Sequence, residues 1–210
     1  RRCASWGPAS SGWRRSSGGS WRKSSGGGGS SNLLIDCFLG VDIGGTNIKA
    51  GLFDDLGRFL GGNMKPIKNR SLDAVLNLIE EVSKSVLPIN SCINIKAIGI
   101  GCPGQCRDGR LVGAVTFPDW GSNIALADLV SARIGGGVPA VLCNDADAAL
   151  AAEKWKGKRT VKEAGIIVLM SLGTGIGTSI MIDGKLMSGS RGLVEGGHMV
   201  VRPALPRAAP

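Results

Sequence analysis

Four stretches of this 210-residue sequence carry carboxylates, a histidine or glycine turns, the ingredients of a site for a polar ligand. The first is Asp42-Ile-Gly44-Gly45-Thr46-Asn47. An acid closes an apolar run, and two glycines let backbone amides come close to whatever lies above. Amides, a hydroxyl and a carboxylate suit a phosphate with its Mg2+, the acid holding the metal's waters. An ordinary tight hairpin with an exposed acid uses the same residues, and the spacing leaves both readings open. The second is Leu172-Gly173-Thr174-Gly175-Ile176-Gly177-Thr178, another glycine turn after an apolar run. Its GxGxG lacks the spacing of a dinucleotide fingerprint, and no helix pattern follows it. Two such turns could clamp one phosphate chain from two sides. The third is Asn144-Asp145, placed where a strand pattern gives way to a helix pattern. One reading is a helix N-cap. The other is a general base, because α/β sheets bind ligands at the carboxyl ends of their strands. The fourth, Gly189 to His198, places Glu195 three residues before the single histidine, His198. A lone histidine is more often structural, yet a Glu and a His framed by glycines can face one polar ligand.

These residues need elements to hold them. Phe38–Asp42 reads as an apolar strand, 47–53 as its hairpin partner and Arg58–Leu60 as a third antiparallel strand. Ser71 caps a helix with Leu72, Val75, Leu76, Ile79, Val82 and Val86 at helical spacing. Residues 95–100 and 140–143 read as strands, 124–133 and 146–155 as helices. Residues 165–171 and 176–182 form a second hairpin, with Asp183-Gly184 as the next turn. This order predicts an α/β arrangement on a mixed sheet. Residues 165–182 carry no charge, the minimum length for a membrane span, but the glycines favour two short strands.

Composition narrows the partners. The net charge is +9, but residues 1–31 hold six bases and no acid, and residues 202–210 hold two more. Without those eight, 17 bases face 16 acids, so the globular part has no electrostatic reason to bind nucleic acid. Aromatics are 4% with no tyrosine, which predicts an aliphatic core. The cysteines at 3, 37, 92, 102, 106 and 143 form no CxxC pair and read as free thiols of a reducing compartment. No apolar signal-peptide core is present at the N-terminus, so a cytoplasmic location is expected. Residues 1–34 are low-complexity: Trp13-Arg-Arg-Ser-Ser-Gly-Gly recurs as Trp21-Arg-Lys-Ser-Ser-Gly-Gly, and such a segment buries too little apolar surface to order itself. A basic RNA-touching arm, a transit segment and translated non-coding sequence compete to explain it, and the last leads.

The motifs together resemble the ROK sugar kinases. DIGGTN, then Gly99-Ile-Gly-Cys-Pro103-Gly104, NDADAA, LGTGIG and GxxGxxEGGH follow that family's order over residues 38–201. The resemblance implies an actin-like ATPase (ribonuclease H-like) fold with a complete N-terminal lobe over 35–144 and the beginning of a C-terminal lobe over 145–202. Residues 203–210 form a tail unlike the family. It implies ATP and Mg2+, and transfer of a phosphoryl group to a hexose, glucose foremost, by a protein that forms a homodimer in many relatives. Asp42 would position Mg2+ through water, with Gly44, Gly45, Thr46 and Asn47 in the first phosphate loop. Gly173, Thr174, Gly175 and Gly177 would form the second. Asp145 would be the base. Asn144, Asp145, Glu195 and His198 would contact the sugar, with Gly104 in the loop above it and Asn123 near a further contact. The alternatives are an N-acetylhexosamine (ManNAc or GlcNAc) kinase, a sugar-sensing repressor of the same family, and a non-catalytic fragment. A repressor should carry a helix-turn-helix ahead of DIGGT, where this chain has the Ser/Gly/Arg repeat.

The family usually continues past Glu-x-Gly-His into a cysteine-rich zinc loop with the histidine as fourth ligand. From Ala204 onward that match is lost, so zinc is not expected in this chain and His198 could hold it only with those cysteines present. The expectation is an incomplete C-terminal lobe with one sheet face open, and a poor enzyme in isolation.

Overall fold

The computed structural model describes residues 34–87, 93–135, 137–172, 175–188 and 196–199, and the backbone of 13–15 and 21–23. Those backbone pieces are β1 (Trp13–Arg15) and β2 (Trp21–Lys23), paired antiparallel with Trp13 opposite Lys23. Each strand is the Trp-Arg-Arg or Trp-Arg-Lys start of one copy of the repeat.

Strands β3 (Ile35–Ile43), β4 (Asn47–Asp54) and β5 (Phe59–Pro66) form an antiparallel meander. Alternation decides their faces: Cys37, Leu39, Val41 and Ile43 are buried, as are Ile48, Ala50 and Leu52. The third strand is longer than Arg58–Leu60 predicts and runs through Gly61-Gly62. β4 offers backbone partners along its whole length, and that pairing outweighs the breaker signal of two glycines. Asp54 is buried at the β4–β5 turn, where its carboxylate accepts from the Leu56 and Arg58 amides and from Arg58 Nε.

Helix α1 (Leu72–Val86) starts where predicted, with Ser71 Oγ accepting from the Ala74 amide. Its buried stripe is Val75, Leu76, Ile79 and Val82. β6 (Ile93–Cys102) then enters parallel to β3. β7 (Gln105–Arg107) and β8 (Arg110–Gly113) make a small hairpin that the sequence reading lacks. Helix α2 (Leu126–Ile134) begins two residues later than predicted, because Ile124 is still bridged to Leu111 of β8. β9 (Ala140–Asn144) closes a five-stranded sheet of order β5-β4-β3-β6-β9. The apolar stripes of α1 and α2 join one face of this sheet in a single core. That core is not purely aliphatic: Phe117 and Trp120 are buried in it, stacked with ring centroids 4.1 Å apart.

On the other face, strand register lines up Gly62, Gly51, Gly40 and Gly99 in one row across four strands. Helix α3 (Asp145–Lys156) runs over this side, with Ala148 against Gly101. Its far end is pinned to the β4–β5 turn. A Cβ on Gly57 would lie 2.2 Å from the Trp155 ring, and Lys156 Nζ donates to the Leu56 carbonyl.

After a short α4 (Arg159–Glu163), β10 (Ile166–Leu172), β11 (Ile176–Ile182) and β12 (Lys185–Leu186) form a second meander in the order of the first. One face turns to α3: Ser179 and Met181 are buried, and Ser179 Oγ bonds Asp147. The opposite face of β10 leaves Ile166, Val168, Met170 and Leu172 exposed. The uncharged stretch 165–182 is thus a hairpin, and no helix among the described residues is long and apolar enough to cross a membrane.

Candidate active site

The strands of the first sheet deliver their carboxyl ends to one place. β3 ends at the Asp42 motif, β6 just before Pro103-Gly104 and β9 at Asn144, and the start of β11 comes in from the second sheet. Between them lies a cleft of about 1500 Å³. Asp42, Gly45 and Thr46 line one side, Asp145 and Ala146 the helical side, and Gly175 and Gly177 the second hairpin.

Asp42 is half-exposed, and its Oδ2 accepts from Lys49 Nζ at 2.6 Å. Lys49 stands opposite Asp42 in the β3–β4 register. Gly44 closes the turn by donating its amide to the Asn47 carbonyl at 2.9 Å, and Asn47 Nδ2 donates to Thr46 Oγ1. Gly44 and Asn47 therefore shape the loop, while Gly45 and Thr46 face the cleft.

Asn144 is the N-cap of α3. Its Oδ1 accepts from the Ala146 amide at 2.9 Å, and its Nδ2 donates to the Gly104 carbonyl at 3.1 Å. One half of the amide thus caps the helix while the other tethers the Gly104 loop. Asp145 is the first residue of the helix, exposed to the cleft, with Oδ1 also accepting from the Ala146 amide. Gly104 has φ +123°, and a Cβ there would sit 2.4 Å from the Gly113 carbonyl oxygen, so only glycine fits this loop.

Three thiols lie under the same loop. Cys102 Sγ faces the Pro103 carbonyl, Cys106 Sγ the Gly104 carbonyl and Cys143 Sγ the Ile100 carbonyl. Burial pushes all three up, with neighbouring charges such as Asp145 adding to it: Cys106 to about 12 and Cys143 to about 11. A thiol held up in this way is a weaker nucleophile at neutral pH than an ordinary cysteine.

The glycine-rich segment before His198 reaches the second hairpin. The Gly196 amide donates to Thr178 Oγ1 at 2.7 Å, and a Cβ on Gly197 would meet the Ile176 carbonyl oxygen at 1.9 Å. Gly197 thereby lines the cleft. Gly173, Thr174, Glu195 and the side chain of His198 lie outside the described residues. Asn123 does not line the cleft: at φ +60° it is exposed, and Arg110 holds both its Oδ1 and its carbonyl.

Sequence reasoning missed two cations of the cleft, Lys49 and Arg70. The signal for Lys49 was its alternation with the apolar Ile48, Ala50 and Leu52, which leaves it on the other side of β4. Arg70 had no sequence signal, because the contacts that place it come from residues far away in the chain.

Comparison with known proteins gives the site its context. The sequence matches the ROK family over residues 38–209. This chain belongs to the ROK family. Among its relatives, a glucokinase from Thermotoga maritima is 34% identical over 80% of this chain and 52% of its own length. An N-acetyl-D-glucosamine kinase of Salmonella newport is also 34% identical, over 77% of this chain and 52% of its own. A ROK family glucokinase from Streptomyces griseus, solved with glucose and AMPPNP, superposes with a TM-score of 0.65 at 31% identity. That overlap covers 80% of this chain and 51% of the other. The fold is the actin-like ATPase fold of the ROK sugar kinases, and the chain spans about half the length of the curated relatives it matches.

Proposed function

We propose that this ROK chain carries the sugar- and phosphate-facing half of an ATP-dependent hexose kinase, with glucose as the leading acceptor. The carrying observation is that Asp145 opens α3 into the same cleft as the Asp42–Thr46 loop and the Gly175–Gly177 hairpin. Phosphoryl transfer asks for little else: alignment, charge on the phosphates and a carboxylate at the nucleophile.

In this reading Asp145 takes the proton of the attacking hydroxyl, and Asn144, Glu195 and His198 hold the sugar beneath Gly104. The two glycine turns, including Gly173 and Thr174, enclose the phosphate chain. Mg2+ fits the residues present: it is held by one or two carboxylates plus waters and phosphate oxygens, and Asp42 is a half-exposed carboxylate at the phosphate loop. When bound, it neutralises charge on the transferring phosphate. An N-acetylhexosamine acceptor is the second reading, supported by the equal identity to the N-acetyl-D-glucosamine kinase.

The test is ADP release from Mg-ATP with glucose, N-acetylglucosamine, N-acetylmannosamine and fructose. Sugar-dependent turnover should drop by about 10²–10⁴ in Asp145→Ala. Turnover that survives this substitution removes the base assignment.

A further inference from the structure

Arg70 has no role in the reading above, yet its side chain makes two hydrogen bonds at the edge of the cleft. Its guanidinium donates from one terminal nitrogen to the Gly45 carbonyl at 2.9 Å and from the other to the Thr116 carbonyl at 3.3 Å. Its own carbonyl accepts from Trp120 Nε1 at 2.7 Å, and Trp120 is buried and stacked on Phe117. The phosphate loop also touches the Thr116 segment directly, since a Cβ on Gly45 would sit 3.4 Å from the Thr116 methyl. Arg70 therefore clasps the phosphate loop to a segment anchored in the core.

A clasp uses only part of this side chain. A guanidinium carries five N–H donors, and the two carbonyls take one each. Arg70 is exposed and lines the cleft with Asp42, Thr46 and Lys49. Lys49 is paired with Asp42, whereas Arg70 has no carboxylate partner among the described residues. Among the described residues it is the cleft cation without a carboxylate partner, and its two carbonyl contacts orient it without a ligand. Planar forks of this kind bind phosphate oxygens at two points, unlike the single ammonium of lysine.

Resting on the kinase reading for the location of the donor, we infer that Arg70 is a phosphate-binding residue of the donor site, engaging the phosphate chain rather than the nucleoside or the sugar. The clasp on Gly45 and Thr116 is what aims it.

Calorimetric titration of the full chain with Mg-tripolyphosphate, an adenine-free phosphate chain, tests this beside a parallel titration with glucose. Arg70→Ala should weaken tripolyphosphate about tenfold or more, the scale of one lost charge-assisted contact. Arg70→Lys should recover part of that loss, and glucose binding should change by less than about twofold. The salt dependence of tripolyphosphate affinity should also become shallower in Arg70→Ala, which a purely structural role would not produce. Wild-type and Arg70→Ala chains that bind tripolyphosphate alike overturn the inference, as does a wild-type chain that binds none. Equal losses for glucose and tripolyphosphate reduce Arg70 to a brace and overturn it too. A chain whose tripolyphosphate binding depends on Arg70 but which binds no hexose keeps the inference and sinks the sugar reading.

Discussion

Asn144 carries two duties in one amide, and its chemistry separates them. The oxygen caps α3 and the nitrogen holds the Gly104 carbonyl. Asparagine and aspartate cap helices almost equally well, but aspartate has no N–H to offer. Asn144→Asp should therefore keep the denaturation midpoint near wild type and weaken glucose binding several-fold by releasing the loop. Asn144→Ala should lose the cap as well, about 1 kcal/mol, visible as a lower urea midpoint. Equal glucose affinity in wild type and Asn144→Asp would show that the Gly104 tether is dispensable.

Helix α3 is the element that joins the two sheets. It starts at the end of β9, passes over Gly101 and packs against β11 through Asp147 and Ser179. Its far end returns to the first sheet through Trp155 on Gly57. Both meanders are thereby referred to one rigid rod whose first residue is Asp145. The second meander, by contrast, leaves the apolar side chains on one face of β10 exposed. An uncharged strand with Val168 and Met170 exposed at 59% and 63% is a surface for self-association. The wild-type chain should sediment as higher oligomers with rising concentration. Val168→Lys with Met170→Lys should reduce this and leave far-UV circular dichroism unchanged. Concentration-independent sedimentation of the wild type would contradict that account of β10.

For the whole molecule, the buried and half-buried thiols set a limit at high pH. Cys106 and Cys143 are raised from 9.0 to about 12 and about 11, and Cys37 and Cys102 are also raised, in each case chiefly by burial. The native chain holds these protons more tightly than the unfolded chain does. Their contribution is therefore intact below pH 9 and is lost as pH rises through 9 toward 11–12. The urea midpoint should fall between pH 7.5 and pH 10, and Cys106→Ser should flatten that slope. An identical slope in Cys106→Ser would assign the decline to other groups.

Local patterns wrote much of this protein directly into its sequence. Apolar alternation placed β3 and β4, helical spacing with Ser71 placed α1, and the change of period at Asn144-Asp145 placed α3 with its cap. The Asp42, Asn144-Asp145 and glycine motifs were visible because they are contiguous, each requiring its own short backbone geometry. The extent of β5 was not legible, because pairing with β4 overrides the local preference of Gly61-Gly62. Phe117 and Trp120 were missed as core residues because burial depends on what packs above them. Arg70 and the cleft that gathers Asp42, Asp145 and Gly177 are products of tertiary structure alone. Hydrogen bonds from Arg70 to Gly45 and Thr116 span 25 and 46 residues of chain, and no local pattern encodes a contact at that separation.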